Sequence, residues 1–307
     1  MVARWTGPRE GRTVGLRSSP TYRQRRLGAE LRRMRERSGL SSYEMAARLG
    51  MKQPQLSHIE AGRTTIGVER LRALAAESGV SDSTFIEALI EMEQSSGKGW
   101  WSGFRKRLQQ PYLDLAESEA EAVRLRNYEP MFIPGLLQTR EYAEAVHRDG
   151  YARLSAEEQE AAVEFRMDRQ KILTGEHAPR FHAIIHEAAL RPSMGDRELM
   201  RAQLLRLVEA SRLPNVTLQI LPFDGRIAFG TGFLMIEPQV ADLSTTLVSH
   251  VEQTLYLEDA ASFARYDGHF ARLEAMALAP IDATAAPETR IAKNSLGLIQ
   301  RILYPLL

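Results

Sequence analysis

From Tyr22 to Arg37 the apolar residues Leu27, Leu31 and Met34 recur at i, i+4 and i+7, which places them on one face of a helix that ends at Ser38-Gly39. A second, short helix follows. Ser41-Ser42 supplies its N-cap, Met45, Ala46 and Leu49 form its buried stripe, and Gly50 can take the left-handed backbone that stops it. Pro54 is tolerated in the first turn of a third helix that turns Leu56 and Ile59 inward and stops at Gly62. Val68, Leu71, Leu74 and Ala75 predict a fourth helix ending at Gly79, and Phe85, Ile86, Leu89 and Ile90 a fifth. Five short helices therefore fill residues 22–92.

The pattern changes beyond the polar and small run Gln94 to Gly99, and the domain boundary is placed there. Helix-like stretches at about 139–148, 155–174, 196–212 and 259–277 alternate with strand-like runs at Phe181 to His186, Val216 to Leu221, Gly232 to Glu237 and Thr246 to Val251. A further strand covers about Ala122 to Tyr128. The fold class expected is multidomain: an all-α five-helix N-terminal domain plus an α/β (α+β) domain built on a mixed sheet. The boundaries read as a flexible basic arm (1–21), the helical domain (22–92), a linker (93–112), the α/β domain (113–280) and a C-terminal tail with a helix-like stretch (281–307).

Composition narrows the classes. Of 307 residues 44% are hydrophobic and 26% charged, ordinary proportions for a globular chain. Cysteine is absent, which removes disulfides, thiolate zinc sites, iron-sulfur clusters and cysteine nucleophiles. No apolar run approaches a membrane span, and a cytoplasmic location is expected. The net charge of +1 hides an asymmetry: residues 1–80 hold 16 Lys+Arg against 7 Asp+Glu, the remainder 24 against 32. A basic first quarter suits a polyanionic partner, although an Arg-rich solvated face gives the same count.

Two short helices joined through a glycine, the second opening with polar side chains, have the arrangement in which the second helix enters the DNA major groove. With Leu56 and Ile59 inward, Pro54, Ser57, His58 and Ala61 face out and Gln53 projects from the helix start. Gln suits adenine, and His suits guanine N7 or a phosphate. His58 seen alone would read as a surface histidine. The stretch Leu40 to Gly62 closely resembles the Xre-type, lambda-repressor-like family of helix-turn-helix regulators, the likeness extending over about 65 residues. The resemblance implies base contacts from Gln53, Pro54 and His58, with Gln55 and Ser57 near base edge or backbone. It implies phosphate contacts from Ser42, Arg63 and Thr64, and a structural pair between Arg35 and Glu60. Lys52 joins the candidate DNA contacts, though Lys52, Arg48 and Arg63 taken singly read equally as solvated charges. Two positions depart from the family pattern: Ser42 stands where a Gln is usual, and Pro54 replaces a base-reading polar residue. The arginines of the arm either track phosphate or the minor groove or belong to a disordered tail.

The second half also resembles the C-terminal domain of actinomycete regulators described as antitoxin-like. Gly99-Trp100-Trp101, the run Tyr128 to Thr139 (Tyr-Glu-Pro-Met-Phe-Ile-Pro-Gly-Leu-Leu-Gln-Thr), Glu187 to Arg191 and Leu255 to Asp259 carry that likeness. It implies a transcriptional regulator whose second domain has no settled activity, often encoded beside a small partner protein. His182, His186 and Glu187, with His250 and Glu252, could form a metal or acid-base cluster. Packed histidines are favoured over it, since no second His completes His-Glu-x-x-His. Gly225, Gly230 and Gly232 lack the context of a phosphate loop and read as hairpin turns, Pro134-Gly135 as a tight turn, and Trp100-Trp101 as an anchor for the linker. The expectation is a dimeric, sequence-specific regulator without catalysis, metal or cofactor. Its partners would be double-stranded DNA, a second copy, and a small protein from a neighbouring gene or a small-molecule effector. An antitoxin-like binder that autoregulates its operon is the alternative, and an enzyme joined to a DNA-binding module the third reading.

Overall fold

The computed structural model describes residues 16–149, 154–191, 195–224, 230–249, 254–283 and 294–307, and divides into two compact units between Ser96 and Gly97. The first unit contains α1 (Tyr22–Arg37), α2 (Ser42–Arg48), α3 (Gln53–Glu60), α4 (Val68–Glu77) and α5 (Ser83–Gln94). Local chemistry sets the helix starts. Thr21 and Gln24, and Ser41 and Glu44, form reciprocal capping boxes, and Asp82 accepts from two amides at the head of α5. Leu31, Met34, Met45, Leu56, Leu71, Leu74 and Leu89 are wholly buried in this unit. The crossing of α1 over the end of α3 is too tight for any side chain at Gly28, where a Cβ would stand 2.5 Å from the Glu60 carbonyl oxygen.

The second unit is a mixed six-stranded sheet with helices on both faces, so the chain is multidomain, all-α followed by α/β. Its strands are β1 (Ala122–Glu129), β2 (Arg180–His186), β3 (Val216–Leu221), β4 (Phe233–Pro238), β5 (Thr245–Ser249) and β6 (Thr254–Leu257), in the order β3-β2-β1-β4-β5-β6. The first three run parallel, and β4, β5 and β6 add on in antiparallel fashion. Helices α6 (Gln110–Ala120), α7 (Arg140–Asp149), α8 (Ala156–Arg169), α9 (Arg197–Ala210), α10 (Ala260–Met276) and α11 (Ser295–Leu303) complete it. One sheet face turns Leu125, Phe181, Ala183, Ile185, Leu218, Ile220 and Ile236 into a core shared with residues of α7, α9 and α11. The other turns Tyr128, Ile184, Phe233 and Met235 against Phe270 and Leu273 of α10.

Three expectations change. Residues 97–112, read as part of a linker, are folded: Trp100–Phe104 form a 3-10 turn whose Trp101 and Phe104 pack with Leu113, Ala116 and Phe165. Helix α6 begins at Gln110, inside the expected linker. Its inward positions include Asp114, Glu117 and Glu119, so carboxylates interrupt the apolar stripe by which a helix is found. Of the expected tail, the described residues 281–283 and 294–307 pack into the domain, and the helix-like stretch is α11. Ile281 donates to the Leu218 carbonyl at 2.8 Å beside β3, and Leu296, Leu298, Ile299 and Ile302 are buried in the larger core. Strand β6 was visible only as part of a quoted motif. Most of the basic arm, His250, Glu252, Gly225 and residues 284–293 lie outside the described residues.

Candidate nucleic-acid interface

The turn between α2 and α3 depends on Gly50, whose φ of 61° is the left-handed conformation, and Met51 returns a hydrogen bond to the Ala46 carbonyl at 2.9 Å. Helix α3 starts at Gln53 with Pro54 in its first turn, where a missing N–H costs nothing. Leu56 and Ile59 point into the core. Lys52, Gln53, Pro54 and Gln55 are exposed at the head of the helix, and Ser57 and His58 are half-buried one turn further along. Arg63 is exposed and Thr64 half-buried in the loop beyond, while Ser42 is half-buried at the start of α2. The nine candidate positions thus lie on α2, on α3 and its N-cap Lys52, and on the loop that follows.

Gln53 ties the two helices together. Its Nε2 donates to the Ser57 hydroxyl at 2.9 Å and approaches that of Ser42 at 3.4 Å, leaving the amide oxygen as an acceptor at the helix head. Arg48 is engaged elsewhere, with Nη1 2.6 Å from Glu77 Oε2. The loop after α3 is braced from the N-terminal side: Arg17 donates its backbone N–H to the Arg63 carbonyl at 2.9 Å, and its Nη1 donates to the Gly62 carbonyl at 3.3 Å. Arg17 was weighed only as one of the arginines of the basic arm, and Tyr43 was passed over. Tyr43, 74% exposed, stands beside Ser42 in the first turn of α2; a bulky side chain next to an N-cap pair was the available signal.

In the second unit, His182 Nε2 lies 2.7 Å from Gln219 Oε1 and its ring meets Phe270 edge to face, 5.0 Å away. His186 Nδ1 accepts from the Ala188 amide. Glu187 accepts from Arg191 and from the Phe223 amide. Burial lowers the pKa of both histidines. Among the described residues no group of three or more His, Cys, Asp or Glu is placed to hold a metal ion, and no helix is long and apolar enough to cross a membrane.

Residues 26–85 match the family model of a helix-turn-helix domain, which covers α2, α3 and their neighbours. This is the fold of a DNA-binding regulator. Residues 112–286, more than half the chain, match the model described as Domain of unknown function (DUF5753). The chain belongs to the DUF5753 family. No curated protein and no solved structure matches it. The DUF5753 match begins within α6 and takes in all six strands and α10.

Proposed function

We propose that this DUF5753-family protein is a sequence-specific transcriptional regulator of the Xre, lambda-repressor-like type, acting in the cytoplasm at the nucleoid as a homodimer. Each copy would lay α3 in a major groove, the two half-sites lying about one helical turn, roughly 34 Å, apart. The observation that carries the reading is Gln53, exposed at the head of α3 and linked to the hydroxyls of Ser42 and Ser57. Its amide oxygen is presented as an acceptor, and exchanging the long Ser42 contact for a base would add an Nε2 donor, the pair that reads adenine. Ser42, Lys52, Arg63 and Thr64 would hold phosphates, and Pro54, Gln55, Ser57 and His58 complete the reading face. The DUF5753 domain would receive a signal or a partner and performs no chemistry in this reading. The antitoxin-like alternative, in which that domain holds a small partner protein, rests on the likeness of Tyr128 to Thr139. Co-purification with a neighbouring gene product that residues 1–96 alone fail to retain would favour it.

The experiment is selection of bound sequences from a random DNA pool, followed by titration of the winner at several salt concentrations. Affinity should fall steeply with salt, and Lys52→Ala or Arg63→Ala should flatten the slope by about one phosphate each. Gln53→Ala should leave the slope unchanged and relax one base position, by about 1 to 3 kcal/mol if the contact is bidentate. A pool that returns no common sequence would refute the reading.

A further inference from the structure

The motif Tyr128 to Thr139 has no part in reading DNA, and the fold gives it a different setting. Because β1, β2 and β3 are parallel, their carboxyl ends, Glu129, His186 and Leu221, lie along one edge of the sheet, and β4 begins there at Phe233. Strand β1 is where direction changes, parallel to β2 on one side and antiparallel to β4 on the other. Open α/β sheets bind ligands at such carboxyl edges, where the strand order reverses.

Two opposite charges meet at this edge without neutralising each other. Arg169 of α8 is satisfied by a two-pronged pair with Glu119 at 2.6 and 2.7 Å. Its neighbour Arg166 donates to Gln138 Oε1 at 2.6 Å, and among the described residues no carboxylate comes within 4.0 Å of it. Glu129 is close enough to Arg166 to feel its charge, yet forms no ion pair with it. Among the described residues the one hydrogen bond to its carboxyl is a long 3.4 Å contact from the Asn127 amide, whose short bond, 2.8 Å, goes to the Phe233 carbonyl. Burial pushes Glu129 up to about 7 and Arg166 down to about 10, as expected for charges taken out of water without an ion pair. Both residues are nonetheless only partly buried.

Two glycines let the charged side chains pack close against the backbone of this edge. A Cβ at Gly232 would stand 2.7 Å from Glu129 Oε2, and one at Gly135 would stand 2.9 Å from Arg169 Nη1 and 3.9 Å from Arg166 Nε. On the loops leaving β1 and β3 at this edge, Met131, Phe132 and Phe223 remain 61, 45 and 57% exposed. Large apolar side chains grouped on one edge in this way signal something to bind.

We propose that the carboxyl end of β1 is a binding site for a small zwitterion of the amino-acid type. The ligand's carboxylate would pair with Arg166, its ammonium with Glu129, and its apolar side chain would lie toward Met131 and Phe132. Charge complementarity selects this class. A phosphate would meet the carboxylate of Glu129 and a simple cation would meet Arg166, whereas a zwitterion satisfies both. The proposal rests on the reading of the DUF5753 domain as a receiver of signals and names the signal's chemistry.

The test is calorimetric titration of the full-length protein at about pH 8 with glycine, L-leucine and L-phenylalanine, and with acetate and methylamine as single-charge controls. At least one amino acid should bind more tightly than either control by about tenfold or more, with L-leucine or L-phenylalanine ahead of glycine. Glu129→Gln removes a crowded charge, so it keeps the fold and should lose about tenfold in affinity; Gly232→Ala, which drives a methyl group at Oε2, should weaken binding too. Silence with all three amino acids, or unaltered affinity in Glu129→Gln, overturns the proposal. DNA binding by the same preparations separates the two readings, since operator binding that persists while the titration is silent leaves the regulator standing and removes only the zwitterion.

Discussion

Arg35 and Glu60 form a two-pronged ion pair, Nε to Oε1 at 2.6 Å and Nη2 to Oε2 at 3.0 Å, that fastens the last turn of α1 to the last residue of α3. Both side chains are about nine-tenths buried, and Arg35 Nη1 also donates to the Leu40 carbonyl at 3.1 Å, so one guanidinium holds α1, the turn before α2, and α3 together. The hydrogen bond that Arg35 donates to Glu60 raises the pKa of Arg35 above its ordinary value. Removing one partner strands the other charge, which costs far more than the pair itself contributes. Glu60→Ala should therefore destabilise the first unit by about 3 kcal/mol, and Glu60→Gln by less, because its amide oxygen still accepts. Urea unfolding of residues 1–96, read by circular dichroism, measures both. A loss in Glu60→Ala no larger than that of an exposed surface pair would show that the contact carries no weight. Because the pair aims α3, operator affinity should fall alongside stability.

The helices around this pair were legible in the sequence for a physical reason. Leu27, Leu31 and Met34, then Met45, Ala46 and Leu49, then Leu56 and Ile59, keep the helical period without interruption, and each segment ends at a glycine that takes a positive φ. Placing Leu56 and Ile59 inward turned out Pro54, Ser57 and His58 and left Gln53 at the helix start, whereas Ser42, Arg63 and Thr64 came only from the family resemblance. Helix α6 was hidden because its buried face carries Asp114, Glu117 and Glu119, which only the fold pairs, as with Glu119 and Arg169 across 50 residues. The position of α11 rests on contacts such as Ser295 Oγ accepting from the Ile220 amide at 2.9 Å, 75 residues away, and no local pattern encodes that. The Glu129 edge was half visible. Its motif stood out as a likeness, but Glu129, Arg166 and Gly232 meet only through the strand order.

Gly28 offers a test in which steric fit opposes intrinsic preference. In an ordinary helix interior, Gly→Ala stabilises by up to about 1 kcal/mol. Here the added Cβ would lie 2.5 Å from the Glu60 carbonyl oxygen and 2.7 Å from that of Ile59, both backbone atoms that no rotamer change can move. Gly28→Ala must push α1 away from α3 or strain one of them, and overpacking of that kind costs about 1 to 3 kcal/mol. The midpoint of urea unfolding should drop. A rise would mean that the two helices sit farther apart than this crossing.

Two buried ionisable groups, Glu129 at the end of β1 and His147 of α7, predict an unusual dependence of stability on pH. Burial raises Glu129 from 4.5 to about 7; its neighbours Arg166 and Arg169 of α8 and Asn127 of β1 pull the other way without reversing it. A carboxyl whose folded pKa is raised favours the native state fully below pH 4.5 and loses that contribution as pH climbs through 7, on the order of 3 kcal/mol in all. His147 of α7 acts oppositely. Its Nε2 is buried with no hydrogen-bond partner among the described residues, and burial, aided by Arg166, lowers it from 6.5 to about 4. Its contribution is present above pH 6.5 and is lost as pH falls through 4. Between about pH 4.5 and 6.5 the two slopes nearly cancel, leaving a plateau, and from there to about pH 7 the Glu129 slope remains alone. Glu129→Gln should remove that later decline and uncover the rise due to His147, so that the variant's advantage over the parent grows between about pH 5 and 7 and then levels off. Denaturant unfolding at half-unit pH steps resolves the difference, and an offset between the two proteins that stays constant with pH would show that Glu129 titrates as an ordinary carboxylate.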